Sequence, residues 1–128
     1  MNRLQLEKFI TESYNASPEY LWIKYPSFAV FRHKSNKKWF AVIMRINKRK
    51  LGLNIDEEID VINLKCDMFG VDFFRQEKGI YPAYHMNKNH WLTVALDGSV
   101  NEEIIKILLD GSYNLTNNIK KIKNKYVV

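Results

Sequence analysis

Two histidines, His85 and His90, stand close to Lys88 and Trp91 in the stretch PAYHMNKNHW, residues 82–91. Side chains of these types can hold a metal, move protons or contact an anion such as phosphate. Spacing counts against a metal. Positions 85 and 90 share neither the three-to-four-residue step of a helix face nor the two-residue step of a strand face. Zinc also needs two further ligands, and His33 and Cys66 lie at no recognisable spacing. Two readings remain for His85, Lys88 and His90. Either they contact an anion, or Asn87-Lys88-Asn89 makes a tight turn that the histidines fix by hydrogen bonding.

Covalent catalysis has no better footing. Cys66 follows Ile62 and Leu64 in strand-like alternation, the pattern of a buried and inert thiol. There is no G-x-S-x-G elbow, and the five glycines form no phosphate-cradling loop. Asp56, Glu57, Glu58 and Asp60 make a charge run ahead of a strand; acid–base work would need them buried in a cleft. We expect no enzyme, no cofactor and no metal.

The stronger lead is cationic. The net charge is +6 and unevenly spread. Residues 32–50 hold eight basic side chains and no acid, residues 56–77 hold seven acids against Lys65 and Arg75, and residues 120–125 add four lysines. This predicts one positive and one negative surface, provided the fold keeps the segments apart. Lys34, Lys37 and Lys38 fall at one turn; Lys48, Arg49 and Lys50 fall at the next; Arg32 and Arg45 are secondary contacts. A strand of this length between the turns would separate the clusters by about 25–30 Å, near the ~34 Å of one DNA turn. Lysine clusters grip phosphates and read bases poorly. With about five phosphates engaged, log affinity should fall against log salt with a slope near −4 to −5. Hairpin-tip lysines also serve solubility and block edge pairing. Trp22, Trp39 and Trp91 could stack on unpaired bases, but Trp39 and Trp91 open apolar strands, and core packing is their expected use.

These side chains need a scaffold. The 128 residues, 46% apolar and 13% aromatic, suit one domain with its own core, with a tail expected to fray from about residue 118. One cysteine excludes an internal disulfide and suits a reducing compartment. The opening MNRLQLEKFI carries no signal-peptide run, and no segment approaches the ~20 apolar residues of a membrane span. A soluble, cytoplasmic protein with no membrane partner is the expectation.

Residues 3–14 read as a helix with Asn2 and Gln5 as its capping pair. Residues 21–25, 27–33, 38–46, 58–66 and 90–96 read as strands, with turns at Ser35-Asn36 and at 47–52. Residues 67–77 read as a short helix or irregular turn. Ser99 and Glu102 resemble a capping box for a helix bearing Ile104, Ile105, Leu108 and Leu109, and Gly111 reads as its end. At most a short final helix follows in SYNLTNNIKKIKNKYVV. The fold class is α+β: two layers, an antiparallel sheet of about five strands, and N- and C-terminal helices on one face.

In order along residues 21–116, FRHKSNKKWFAVIM, DVINLKCD, GIYPAYHMNKNHWLTVALDGSV and SYNLT make the chain similar to the MmcQ/YjbR-like family of small bacterial proteins. Met68 stands where that family often has proline. The resemblance implies a frataxin/CyaY-like or secretion-chaperone-like two-layer arrangement, and DNA binding through two basic β-hairpin wings, a double wing. On this reading Arg32, Lys34, Lys37, Lys38, Arg45, Lys48, Arg49 and Lys50 contact nucleic acid with weak sequence specificity. The alternative is a protein-interaction module of secretion-chaperone type, dimeric through a sheet edge or a helix. Frataxin-like iron binding would want an acidic ridge on the first helix, which here offers only Glu7 and Glu12 interleaved with Arg3 and Lys8.

Overall fold

The first helix starts where its capping pair says it should. Asn2 Oδ1 accepts from the Gln5 N–H, and the Asn2 N–H donates to Gln5 Oε1, both at 2.9 Å. The computed structural model describes residues 1–117. In chain order these form α1 (Arg3–Tyr14), β1 (Ala29–Arg32), β2 (Trp39–Asn47), β3 (Glu58–Lys65), α2 (Met68–Phe74), β4 (Ile80–Pro82), β5 (Trp91–Ala95) and α3 (Glu102–Thr116). The strands make one antiparallel sheet in the order β1-β2-β3-β5-β4. The tail expected to fray from about residue 118 lies outside the described residues; of the stretch expected to hold at most a short separate helix, residues 112–116 instead continue α3.

Strand alternation divides the apolar side chains between two faces. Ala29, Phe31, Ala41, Ile43, Ile62, Leu64, Leu92 and Val94 meet the helices, packing against Leu6 and Ile10 of α1, Val71 of α2, and Ile105, Leu108 and Leu109 of α3. The opposite face carries Val30, Val42, Met44, Val61 and Ala95. No helix of the described residues lies over it. Tyr81 of β4, with Trp22, Tyr84 and Met86 from irregular segments, covers part of it.

One irregularity decides which aromatic goes where. Phe31 pairs with Ala41, yet Arg32 pairs with Trp39, so Phe40 is an extra residue in β2. This bulge puts both Phe40 and Ala41 on the helix side and swings Trp39 onto the open face. It also interrupts the ladder to β3. Ser112, fully buried in α3, repairs the break. Its hydroxyl donates to the Phe40 carbonyl at 2.6 Å and accepts from the Lys65 N–H at 2.9 Å.

Four expectations are corrected. Residues 21–25 are not a strand: Tyr25 N–H bonds back to the Trp22 carbonyl, making a turn, and Pro26 cannot supply a ladder donor. The fifth strand is Ile80–Pro82, entered through Gly79 at φ +89°, where a Cβ would collide with Ser99 and Val100. Ser99 does not cap α3, because its hydroxyl is taken by Asp97; Asn101 caps instead, accepting from the Glu103 N–H at 2.7 Å. Gly111 lies inside α3 and does not end it. Ser112 and Thr116 extend the buried stripe of Ile105, Leu108 and Leu109, so the helix runs on to Thr116.

The Ser112 bridge yields a test. Ser112→Ala leaves a buried carbonyl and a buried N–H without partners and should cost about 2 kcal/mol in chemical denaturation. A loss below about 0.5 kcal/mol would show that the bulge needs no such repair.

Candidate nucleic-acid interface and an aromatic cleft

The basic run and the acidic run do not form separate surfaces. β2 and β3 are antiparallel neighbours, and their register sets Arg45 opposite Asp60 and Asn47 opposite Glu58. The basic end of β2 therefore folds against the acidic start of β3. Arg45 lies 3.2 Å from Asp60, Lys48 lies 2.7 Å from Glu57, and Arg49 lies 3.7 Å from Asp56. The Glu57 hydrogen bond holds the Lys48 ammonium above its ordinary range. Arg32 makes a two-pronged bond to Glu19 at 2.6 and 2.7 Å. Four of the eight cations expected to hold phosphates thus face an internal carboxylate, three of them at or beside the second turn. Lys50 is exposed at that turn, on a 3₁₀ segment, Lys48–Leu51.

The first turn is different. Lys34, Lys37 and Lys38 are exposed, and none makes an ion pair among the described residues. Asn36 shapes the turn by accepting from the Lys38 N–H at 2.9 Å, and Lys37 is held at φ +65°. That left-handed conformation is costly for a residue with a Cβ and usually goes to glycine or asparagine. The C-terminal end of α3 is fastened here. Asn36 Nδ2 donates to the Thr116 carbonyl, and His33 Nε2 contacts Thr116 Oγ1, both at 2.8 Å. His33 is only 5% exposed, between the rings of Phe40 and Tyr113. Burial lowers its pKa from the usual 6.5, with Lys38 adding to the lowering, although a Tyr113 backbone hydrogen bond favours the charged ring. From Thr116 the sequence reaches Lys120 in four residues.

The PAYHMNKNHW segment resolves into a turn and a wall. Asn87 Oδ1 accepts from the Asn89 N–H at 2.8 Å, and the His90 N–H reaches the Asn87 carbonyl at 3.2 Å. Asparagine fixes the turn. Neither His85 nor His90 has a ring hydrogen bond among the described residues, which corrects the expectation that they would. Lys88 and His90 are exposed around this turn, and His85 sits apart at φ +60°, its ring 4.1 Å from that of Tyr84.

Tyr84, His85 and Met86 form one wall of an open cleft of about 260 Å³ on the helix-free face. Trp22, Tyr25 and Trp39 face them, and Met44 and Asn63 lie at the floor. Trp22 and Trp39 meet edge-to-face at 5.6 Å. Asn63, fully buried in β3, donates to the Tyr84 carbonyl at 2.9 Å and accepts from the Thr93 hydroxyl, which accepts from the Tyr84 N–H at 2.9 Å. This closed set pins Tyr84 to the sheet and satisfies each polar group. Thr93 stands out in the sequence as the lone polar residue of β5, whereas Asn63 shares β3 with Glu58, Asp60 and Lys65 and gives no such signal. The cleft itself draws on four separate segments and was not foreseen.

Among the described residues no three His, Cys, Asp or Glu side chains come together to hold a metal. Burial and the neighbouring Asp67 push the Cys66 thiol up, away from the reactive thiolate. No helix of the described residues is long and apolar enough to cross a membrane.

One sheet backed by helices on a single face, with a lysine turn and an aromatic cleft on its exposed parts, defines a small α+β domain. More particularly, the chain belongs to the YjbR family, whose model matches residues 11–115. Protein YyaQ of Bacillus subtilis is 42% identical over 116 residues, spanning 91% of this chain and 98% of that protein. A Pseudomonas syringae protein solved by crystallography is 44% identical, with a TM-score of 0.89 over 91% of this chain and all of that one. A Deinococcus radiodurans crystal structure is 28% identical with a TM-score of 0.61, covering 80% of this chain and 69% of that chain.

His33 makes the lysine turn sensitive to acid. Its folded pKa lies below its unfolded value, so the unfolded chain takes up the proton first and stability falls as pH drops below about 6.5. Melting temperature should be level between pH 8 and 7 and decline from there toward pH 5.5. His33→Gln should remove most of that decline; an equal decline in the variant would assign it to other groups.

Proposed function

We propose that this protein is a non-catalytic domain that binds nucleic acid through phosphates at one pole, the β1–β2 turn. The observation that carries the reading is the state of Lys37. It sits between Lys34 and Lys38, exposed and unpaired among the described residues, in a conformation glycine would adopt more cheaply. A strained residue of this kind is a pointer to function. Two-wing binding receives less support, because Lys48 and Arg49 are already engaged by Glu57 and Asp56. Lysine without arginine at the tip favours phosphate contact over base reading.

Fluorescence anisotropy with a random duplex and a random single strand, over a series of salt concentrations, tests this. Replacing Lys34, Lys37 and Lys38 by alanine should make the log–log salt slope shallower by about 2 to 3, while replacing Lys48, Arg49 and Lys50 should change it by no more than about 1. Lys37→Gly should raise stability by about 1 kcal/mol and weaken binding. Absence of binding at low ionic strength, or a larger loss from the 48–50 variant, would overturn the reading.

A specific feature favours a second reading, self-association. Phe69 and Phe73 on α2 are 89% and 63% exposed, and Ile107 and Leu115 of α3 border the same end of the helix layer, around a groove lined by Gly70 and Phe74. Burial of such side chains by a second copy of the chain would produce a dimer in sedimentation that Phe73→Glu dissolves. A monomer at all concentrations would exclude it.

A further inference from the structure

We infer that the cleft on the open face takes one unpaired nucleobase, so that the preferred ligand is a single strand; this rests on the phosphate reading above and names its substrate class. The cleft is built from ring faces. Trp22, Trp39 and Tyr84 are only partly buried, Tyr25 is 48% exposed, and they enclose about 260 Å³. That space lies just under the range that holds a drug-sized ligand, and its ring-lined walls suit one flat ring system. No carboxylate of the described residues lines it, which leaves it open to a polyanion. Aromatic faces beside a cationic track are the arrangement by which single strands are held without sequence preference.

The cleft and the lysine turn are neighbours along the chain. Lys38, at the end of the turn, is followed directly by Trp39 in the cleft wall, and Trp39 pairs with Arg32 across β1 and β2. Lys24 directly precedes Tyr25 of the wall. A strand whose phosphates lie on Lys34, Lys37 and Lys38 can therefore turn a base toward Trp39. His85 is the polar group that faces it. Its φ of +60° is strained, and its ring keeps both nitrogens unbonded among the described residues, so it can meet the edge of a base. Asn63 is not available for that role, since Tyr84 and Thr93 already occupy its amide. A duplex, with its bases stacked inside, can use the turn but not the cleft.

Anisotropy titrations with three probes of equal length separate the claims: a random single strand, a wholly abasic strand and a duplex. The base-bearing strand should bind about 5- to 100-fold more tightly than the abasic one and should quench tryptophan fluorescence. Tyr25→Ala and His85→Gly should narrow that gap. His85→Gly, which relieves the left-handed backbone, should do so while melting no lower than wild type. Equal affinity for base-bearing and abasic strands would overturn the cleft inference and leave phosphate binding standing. Failure of all three probes to bind would overturn both.

Discussion

The bulge at Phe40 governs this molecule. Regular alternation backward from Val42 would place Ala41 on the helix side, Phe40 on the open face and Trp39 in the core. One inserted residue reverses the last two assignments. Phe40 then fills the helix-side core beside Tyr14, His33 and Tyr113, and Trp39 becomes a wall facing solvent. The interruption frees backbone groups that Ser112 satisfies, and this fastens α3 across β2 and β3. The same helix then ends against Asn36 and His33. Core, helix position and the geometry of the lysine turn follow from a single departure from regular pairing.

The β2–β3 register acts in the opposite sense on charge. A segment that is wholly basic in sequence meets one that is nearly all acidic, and the antiparallel turn zips the two together. Such pairs near the surface add little stability, but they cancel field. What remains uncancelled is the other end of β2, where the turn follows a strand whose bridging partner is Glu19, already held by Arg32. The asymmetry between the two turns therefore comes from their neighbours, because each holds three basic residues.

Much of the scaffold was legible in the sequence. The apolar run of β2, the capping pair of α1, the Ser35-Asn36 turn and the alternation in β5 all carry local signals, and the two-layer α+β arrangement follows from them. The site was legible only in fragments. The bulge left no mark, since Phe40 and Ala41 are both apolar and either could face a core. β4 is three residues long and ends in Pro82, too short for periodicity to show. Lys48 and Arg49 read as free cations because ion pairing across a turn depends on register, which sequence alone does not fix. Thr93 is polar in an otherwise apolar strand, but its purpose, and that of Asn63, appears only when the Tyr84 backbone folds down between them.

One end of β2, the Lys34–Lys38 turn together with the adjoining cleft, is where we propose that ligand meets protein. Backbone amide chemical-shift mapping during titration with a short single-stranded oligonucleotide measures this directly. The account predicts shifts that begin at residues 33–39 and extend to Trp22, Tyr25, Tyr84 and His85, with residues 48–52 little changed. Shifts centred on residues 48–52, or none at saturating oligonucleotide, would contradict it.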